Sequence, residues 1–443
     1  MREINIGEEI DRRPLGRLQW LALILCSSVA LLDGFDVQII AHAGPVVSRE
    51  LAIPGAQLGL LFSSGLVGMT LGLLILSPFA DRYGRKRTIE LCVLLFGMFT
   101  LLTAFAGSFE QLLMLRVLAG LGLGGALPNI VVLMTEFTPR RLRNLTVAVV
   151  FLGFPIGGMA SGLLAGQIIP ALGWRPLFVI GGVLPLLLLV ALLRYLPESP
   201  RFLLGRGETR HADLRRLLGR MGLAVEDDTR FMPGEEESEA AQAPRLSVRR
   251  LFDREVLLDT LRLWVVFFVN LMAMYMLISW IPSLLVDAGY DFERAAVASV
   301  YLNLGGAIGP FALAWIMARV SSRVALGGYF LSAALSVLLI GQFGQAPGLV
   351  LGFTFLAGFF VFGTQVGINV LATNTYPTAA RSTGLGWALG VGRVGTILGP
   401  LITGALVQLQ LGMPVYFGVV AAALLAAAVT VATIRRSDGG AEA

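Results

Sequence analysis

Apolar runs of about 20 residues, the length that crosses the hydrocarbon core of a bilayer as a helix, recur along this whole chain of 443 residues. A helix suits that setting because it satisfies its backbone hydrogen bonds internally. Only 14% of the residues are charged, well below the roughly 25% of an average soluble domain. The pattern predicts an all-α membrane protein with twelve transmembrane helices, at residues 18–42, 57–79, 88–107, 111–136, 144–169, 173–196, 259–286, 295–318, 323–343, 347–373, 382–409 and 412–434.

The distribution of lysine and arginine predicts the orientation of these spans. Both residue types are concentrated in the termini and in the loops after the second, fourth, eighth and tenth spans, whereas the opposite side carries Arg49, Arg175 and Arg294. Cytoplasmic loops are enriched in basic residues, so we expect both termini in the cytoplasm and the protein in a bacterial inner membrane. The net charge of +5 follows from this bias and gives no reason to expect a nucleic-acid partner.

The twelve predicted spans form two groups of six around a stretch dense in charge. This organisation predicts a cytoplasmic N-terminal segment, an N-terminal six-helix bundle, a cytoplasmic linker, a C-terminal six-helix bundle and a cytoplasmic tail, at residues 1–17, 18–196, 197–258, 259–434 and 435–443. In the linker, Leu214, Leu217, Leu218 and Met221 recur at helical spacing, which predicts a short amphipathic helix against the cytoplasmic face. Residues 222–245 are equally consistent with a mobile tether.

The two groups of spans are related by an internal repeat. Residues 118–120 and 356–358 both read Leu-Ala-Gly, and at the same offset Arg143 aligns with Arg381. Parallel six-helix repeats with a central site between them are the architecture of alternating-access carriers. The sequence therefore predicts a transporter that arose by duplication of six helices.

Two aspartates, Asp33 and Asp36, lie inside the first predicted span. An ionised carboxylate at this depth costs about 2.5–3.5 kcal/mol on insertion scales, so a chain that carries two usually needs them to move protons or ions. At about 1.5 Å per residue, Asp36 lies at the height of Arg116, and Asp33 lies nearer the midplane. We expect Asp33 to carry the transported proton and Asp36 to pair with Arg116 in a way that senses which gate is open. A purely structural Asp36–Arg116 pair is the alternative.

A third buried charge, Arg393, lies near mid-membrane in the eleventh predicted span. Its forked guanidinium suits a carboxylate, so Arg393 is a candidate for binding the anionic group of a substrate, as is Arg116; an ion pair between Arg393 and an aspartate of the first span is the alternative. Polar and aromatic residues that could line a cavity near Arg393 are Asn270, Tyr275, Trp280, Tyr301, Asn303, Gln365, Asn369 and Trp387. Such walls suit a flat ring with one carboxylate, although each residue alone could serve helix packing, or interfacial anchoring for Trp280.

Two motifs resemble those of the major facilitator superfamily. Residues 77–87 read SPFADRYGRKR, which resembles the loop signature after the second helix, and residues 116–125 resemble the Arg/Gly motif of the fourth helix. The run Asp33-Gly34-Phe35-Asp36, together with PESPR at 197–201, narrows the resemblance to the aromatic acid:proton symporter family. The likeness covers nearly the whole chain outside the central linker. One departure is Ser77 in place of the usual Gly, and since serine is also small we expect a minor effect.

The loop signature implies a set of gating residues. By resemblance, Asp81 and the neighbouring basic residues would latch the cytoplasmic ends of the first half, while the equivalent loop in the second half has lost its acid. A helix cap and plain topology charges are the alternative. The candidate gating residues are Asp81, Arg82, Gly84, Arg85, Glu136, Arg143 and Arg381.

The function predicted from these residues and from the resemblance is proton-coupled import of a hydroxybenzoate-like aromatic carboxylate by alternating access. The expected partners are the aromatic acid, protons and the lipid bilayer, and we expect a monomer without a cofactor. A proton-driven exporter of drugs or metabolites, or an importer of another organic acid or a sugar, would use the same scaffold. The sequence contains no phosphate-binding Gly-Lys-Ser/Thr loop of the kind that would indicate an ATP-driven pump. It also contains no nucleophile–base arrangement of the kind that would indicate an enzyme.

The histidines and cysteines add little to this prediction. His42 and His211 are expected at the surface, and they lack the second ligand that a metal site would need. Cys26 and Cys92 fall inside apolar spans and are expected to pack as small hydrophobic residues without a disulfide.

Overall fold

A computed structural model describes residues 2–206, 211–222, 229–232, 251–253, 256–344, 346–376 and 380–434. Much of the predicted linker and the predicted tail at 435–443 lie outside the described residues. The described part is almost entirely helical, which confirms the predicted all-α class. Its one small sheet pairs two short strands in parallel, with Arg2 opposite Thr229 and Asn5 opposite Met232.

The elements follow one another in a simple order. They are β1 (Arg2–Asn5), α1 (Ile6–Asp11), α2 (Arg17–Glu50), α3 (Gly55–Tyr83), α4 (Arg85–Thr103), α5 (Phe109–Phe137), α6 (Arg140–Leu172), α7 (Arg175–Tyr195), α8 (Pro200–Gly205), α9 (His211–Arg220), β2 (Thr229–Met232), α10 (Leu257–Asp287), α11 (Phe292–Met317), α12 (Ser322–Gln342), α13 (Pro347–Thr375), α14 (Arg381–Gln408) and α15 (Met413–Thr433). Within the described ranges, each predicted span corresponds to one long helix.

Eleven of these helices are long and apolar enough to cross a membrane, so the chain is an integral membrane protein. Among the twelve helices that correspond to predicted spans, the one that does not meet this criterion is α4, whose first turns carry Arg85, Lys86, Arg87 and Glu90. Its remainder is apolar, and its length matches the third predicted span. The charged residues at the start of α4 explain why composition alone does not identify this helix as a membrane span.

The first predicted span was placed too short, because α2 continues through Gly44 and Pro45 to Glu50. Glycine and proline usually mark helix ends, but here packing maintains the helix. A Cβ on Gly44 would lie 2.6 Å from the ring of Phe62 and 3.2 Å from the hydroxyl of Ser283. The glycine therefore serves close contact and not chain reversal.

The longer α2 makes the surface prediction for His42 wrong, because His42 lies inside the helix and is fully buried. The interfacial-anchor alternative for Trp280 is also wrong: its indole is buried and donates a hydrogen bond of 3.0 Å to the carbonyl oxygen of Pro400. The predicted amphipathic helix is present as α9, which buries Leu214, Leu217 and Leu218. Cys26 and Cys92 are buried and free, as expected. The side chain of His211 lies outside the described structure.

The chain divides into two compact units that do not follow the simple halves of the sequence. The first comprises Met1–Asp36, Val67–Gly157 and Phe178–Ala243; the second comprises Val37–Leu66, Gly158–Leu177 and Pro244–Ala443. The second unit thus combines α10 to α15 with the last part of α2, the first part of α3 and the region around the α6–α7 loop. The predicted division into two six-helix bundles stays a prediction.

Glycine lets helices approach backbone to backbone in the first unit. A Cβ on Gly68 or Gly72 of α3 would overlap carbonyl oxygens of α5 at Val117 and Leu121. In the same way, a Cβ on Gly34 of α2 would overlap the carbonyl of Phe154 in α6. Small residues at such crossings are typical of membrane helix packing. They explain the glycine between the two acids of α2.

The second unit repeats this arrangement in the corresponding helices. A Cβ on Gly305 or Gly309 of α11 would overlap carbonyl oxygens of α13 at Phe355 and Phe359, just as α3 approaches α5. A Cβ on Gly358 of α13 would in turn overlap the carbonyl of Leu302. The matching contacts follow the internal repeat seen in the sequence.

Candidate functional site

Asp36 and Arg116 form a buried ion pair inside the first unit. Nη2 of Arg116 lies 2.8 Å from Oδ2 of Asp36 and Nη1 lies 3.2 Å from Oδ1; the Arg116 side chain is 2% exposed and that of Asp36 is 0% exposed. The hydroxyl of Thr100 in α4 donates a further hydrogen bond of 2.5 Å to Oδ1. The predicted contact between Asp36 and Arg116 is therefore confirmed, and the gate-sensing role stays a prediction.

This geometry makes the pair sensitive to its charge state. A forked arginine–carboxylate contact is among the stronger polar interactions in proteins, but both groups lose their hydration when buried. The pair is favourable only while both charges are present. Phe178 adds a ring whose centroid lies 5.9 Å from Cζ of Arg116. Thr100 was missed by sequence reasoning, because one hydroxyl in an apolar span carries no signal of its own.

Asp33 lies one helical turn before Asp36 in α2 and is also buried. Gly34, between the two acids, is held against the backbone of α6 at Phe154, so this part of α2 has little freedom to rotate. Two carboxylates three residues apart on one helix lie on roughly the same face. The proton-carrying role of Asp33 stays a prediction.

Arg393 in α14 belongs to the second unit and is half-buried. Among the described residues its guanidinium makes no hydrogen bond or ion pair. Gly386 and Gly390 precede it at intervals of about one helical turn, and a Cβ at either position would meet only open space. An accessible guanidinium beside open space can bind a carboxylate, and that role of Arg393 stays a prediction.

A neutral network links α10 to α13 in the second unit. The hydroxyl of Thr364 donates a hydrogen bond of 2.5 Å to Oδ1 of Asn270, and Nδ2 of Asn270 donates one of 2.8 Å to Oε1 of Gln365. Asn270 and Thr364 are fully buried, while Gln365 is half-buried. Sequence reasoning selected Asn270 and Gln365 but missed Thr364, because it could not place α10 against α13.

A second amide pair joins the last part of α2 to α11. Nε2 of Gln38 donates to Oδ1 of Asn303 at 3.0 Å, and Nδ2 of Asn303 donates to Oε1 of Gln38 at 2.8 Å. A Cβ on Gly158 of α6 would overlap Nε2 of Gln38, so glycine there makes room for the pair. Asn303 is fully buried in this arrangement and does not line open space.

The other predicted cavity residues are more scattered. Tyr275 is buried, whereas Tyr301 lies on an exposed stripe of α11 with Leu304, Ile308 and Phe311. Because positions 301 and 303 point to different sides of a helix, these two candidates cannot share one face. The structure thus separates Tyr301 from the buried amides.

Asn369 and Trp387 lie on the accessible sides of their helices. Asn369 is half-buried one turn after Gln365, and its Oδ1 is a buried atom without a hydrogen-bond partner in the described part of the chain. Trp387 stacks on Trp264 of α10, with ring centroids 6.1 Å apart and planes inclined by 24°. Roles for both in substrate binding stay predictions.

Asp81 at the end of α3 forms an ion pair of 2.9 Å with Arg85 at the start of α4. The Asp81 side chain is 75% exposed, so the pair contributes little stability. The less exposed acid at this place is Glu198, which is half-buried and accepts hydrogen bonds from the backbone nitrogens of Lys86 at 3.1 Å and Ser199 at 2.9 Å. Sequence reasoning used Glu198 only as part of a motif.

Gly84 permits this contact. Its φ of 101° lies in the left-handed region that favours glycine, and a Cβ there would overlap the carboxylate of Glu198. The hydroxyl of Ser199 also donates to the carboxylate of Glu136 at the end of α5. The start of α8 is therefore tied to both α4 and α5.

The remaining gating candidates make simpler contacts. Arg82 lies over the ring of Tyr83, and its carbonyl oxygen accepts a hydrogen bond from Arg206. Nε of Arg143 donates to the carbonyl oxygen of Thr138 at 3.3 Å, and Arg381 is exposed at the start of α14. Their roles in gating stay predictions.

The chain belongs to the major facilitator superfamily, whose family model matches residues 26–326 and 303–442. It is therefore a membrane transporter and not an enzyme. The chain is 36% identical over 428 residues to a gallate transporter of Pseudomonas putida, covering 97% of this chain and 94% of that protein. It is 37% identical over 398 residues to the 4-hydroxybenzoate transporter PcaK of Pseudomonas putida, covering 90% and 88%.

Another relative is the benzoate transport protein of Acinetobacter baylyi, 33% identical over 418 residues, with 93% of this chain and 88% of that protein covered. Among solved structures, the chain is similar to an inward-open structure of the xylose transporter XylE from E. coli, with a TM-score of 0.72, 16% identity and coverage of 95% and 98%. It is also similar to a bacterial homologue of the lysosomal transporter Spinster, with a TM-score of 0.70, 16% identity and coverage of 95% and 96%. These structures confirm the predicted fold.

Proposed function

We propose that this transporter imports an aromatic carboxylate of the hydroxybenzoate kind together with protons. The observation that carries the proposal is the pair of buried acids in α2, of which Asp36 is bound by Arg116 and Thr100. The names of the relatives, which are transporters of gallate, 4-hydroxybenzoate and benzoate, support the substrate class. A monomer in the bacterial inner membrane, with both termini in the cytoplasm, completes the proposal.

The proton path is proposed to start at Asp33. Asp33 is a buried carboxyl group within a membrane span, and intramembrane carboxylates are typical members of proton relays in transporters. Asp36, one turn away, forms an ion pair with Arg116, so the two acids have different environments on one helix face. The proposed division of labour is that Asp33 carries the transported proton while Asp36 pairs with Arg116.

The substrate carboxylate is proposed to bind Arg393. The open space beside Gly386 and Gly390 leaves room for a flat ring next to the guanidinium. Gln365 and Asn369 on α13 supply amide groups for the polar substituents of the ring. Gating is proposed for the loop and helix-end residues Asp81, Arg82, Gly84, Arg85, Glu136, Arg143 and Arg381.

Coupling to protons gives a calculable driving force. If one proton accompanies a monoanion, no net charge crosses, and the pH gradient supplies about 1.4 kcal/mol per pH unit. A second proton would add about 2.3 kcal/mol per 100 mV of membrane potential. Measuring uptake with and without a potential therefore distinguishes one proton from two.

The test is uptake of labelled 4-hydroxybenzoate by the purified protein in liposomes with an inward proton gradient. We expect accumulation that collapses when the gradient is dissipated, with protocatechuate, benzoate and vanillate competing in a measurable order. Liposomes without protein are the control. Efflux driven by the same gradient, or no uptake and no competition by any of these acids, would contradict the proposal.

A further inference from the structure

We propose that Thr364 and Asn270 hold the carboxamide of Gln365 in one orientation, so that Gln365 recognises a hydroxyl group on the substrate ring. The inference rests on the proposed transport of aromatic acids and adds the group that separates hydroxylated from unsubstituted substrates. Thr364 and Asn270 act here as positioning residues, because both are fully buried and reach the substrate only through Gln365.

The hydrogen bonds define a direction along this chain of three residues. The Thr364 hydroxyl has a single proton and two acceptors within reach, Oδ1 of Asn270 at 2.5 Å and the carbonyl oxygen of Val361 at 2.7 Å. The shorter contact is the one to Asn270. With that oxygen occupied, the Asn270 amide nitrogen faces Gln365 and donates to its oxygen at 2.8 Å.

Gln365 is left with its amide nitrogen directed away from Asn270. Within the described residues this nitrogen makes no hydrogen bond, and the side chain is half-buried. Its free end is therefore a donor, suited to the oxygen of a ring hydroxyl. Reversing Asn270 would reverse Gln365 and present an acceptor instead, so the two buried residues decide what Gln365 offers.

The accessible face of α13 near Gln365 is suited to a ligand and not to lipid. Gln365, Asn369 and Thr373 recur every four residues and are all partly accessible. Amide groups facing hydrocarbon would lack partners at a cost of several kcal/mol each, so this stripe faces water or substrate.

Arg393 follows a residue that packs on the same turn of α10 as Asn270. Its neighbour Gly392 packs on α10 beside Leu271 and Phe267, the turn that also carries Asn270. One helix thus positions both a cation for the carboxylate and, through Asn270, a donor for a hydroxyl. Two recognition groups match a flat ring with polar groups at both ends.

The test compares KM for proton-driven uptake of 4-hydroxybenzoate and of benzoate in liposomes. Thr364→Val removes the hydroxyl at nearly constant volume, and we expect KM for 4-hydroxybenzoate to rise roughly 3- to 10-fold while KM for benzoate stays within about 2-fold. Gln365→Met should give the same selective loss, and Thr364→Ser should restore the wild-type ratio of the two KM values.

Thr354→Val is the matched control, because Thr354 is a buried threonine of the same helix whose hydroxyl has no hydrogen-bond partner among the described residues. It should leave the KM ratio unchanged. An unchanged ratio in Gln365→Met, an equal rise in both KM values, or an equal shift in Thr354→Val would overturn the inference. Benzoate uptake by each variant reports that it is folded. Failure of the wild type to take up either acid would instead overturn the proposed function, and the inference with it.

Discussion

The polar interior of the first unit is charged, whereas that of the second unit is largely neutral. In the first, Asp36 and Arg116 form an ion pair closed by one hydroxyl. In the second, Asn270, Thr364 and Gln365 form a chain of neutral hydrogen bonds, and Gln38 and Asn303 form a reciprocal amide pair. Both units use the same glycine contacts between equivalent helices, so the duplicated scaffold is retained while its buried chemistry differs.

This difference suggests a division of tasks. An ionisable group can exchange a proton with its surroundings, and its partners respond to the loss of charge. An amide keeps its donors and acceptors at every physiological pH, so it can recognise a ligand without responding to protons. Coupling and recognition can then be altered separately. Of the four substitutions below, two test these functions and two test what the charged and the neutral contacts contribute to stability.

The largest effect is expected for Asp33→Asn, which removes the proposed proton carrier and keeps the size of the side chain. Accumulation driven by a pH gradient should be abolished, because no proton can be bound and released at this position. Exchange of labelled for unlabelled substrate should continue in the same liposomes. Accumulation equal to that of the wild type would remove Asp33 from the proton path.

Arg116→Met should destabilise the protein by about 3–5 kcal/mol, because it leaves the carboxylate of Asp36 buried without its counter-ion. Thermal unfolding in detergent, read at several pH values, measures the loss. Arg175→Met is the matched control: its contact with Glu50 is equally short, at 2.7 Å, but the side chains are 45% and 39% exposed. That pair should contribute at most about 1 kcal/mol. Similar losses of stability in the two variants would show that burial does not make the Asp36–Arg116 pair more important than the exposed pair.

Arg393→Lys should lower the affinity for aromatic carboxylates about 10- to 100-fold, because lysine keeps the charge but loses the planar fork. Substrate protection against thermal unfolding measures affinity without requiring transport. Arg319→Lys serves as the control, since Arg319 is an exposed arginine of the same sequence half that lies over the ring of Trp315. Unchanged affinity in Arg393→Lys would place the anion site elsewhere.

Asn303→Leu should destabilise the protein by about 1–3 kcal/mol, because it leaves the buried amide of Gln38 without its partner. Replacing both residues by leucine should recover much of that stability, since no unpaired polar group remains. The measurement is thermal unfolding of the single and double variants. A double variant no more stable than Asn303→Leu would show that packing, and not the unpaired amide, controls this pair.

Several site features could be predicted because they depend on distance along a helix. The rise per residue placed Asp36 and Arg116 at the same height, and the ion pair is present. Arg393 could also be selected from the sequence, because a lone charged residue in an apolar span is energetically costly in the membrane. Features that depend on which faces of two helices meet were harder to predict from the sequence. Tyr301 and Asn303 are two residues apart and lie on different sides of α11.

The misplaced histidine illustrates the same limit. His42 was expected at the surface because it lies at the outer end of the first predicted span, 18–42. Contacts of Gly44 with Phe62 and Ser283 instead accompany a helix that continues to Glu50. Local propensity was overridden by packing between segments distant in sequence.

The sequence by itself determined the membrane class, the positions of the long helices, the repeat and the buried charges. Each of these follows from hydrophobicity or periodicity along the chain, because the bilayer requires long apolar segments that satisfy their backbone hydrogen bonds internally. Only the tertiary structure decided which hydrogen bonds form. Thr100 donates to Asp36 and Thr364 donates to Asn270. Glu198 accepts from the backbone of Lys86 beside Gly84, and Asn303 pairs with Gln38. These contacts join residues far apart in the chain, and a hydrogen bond forms only when two helix faces meet at the right rotation and height.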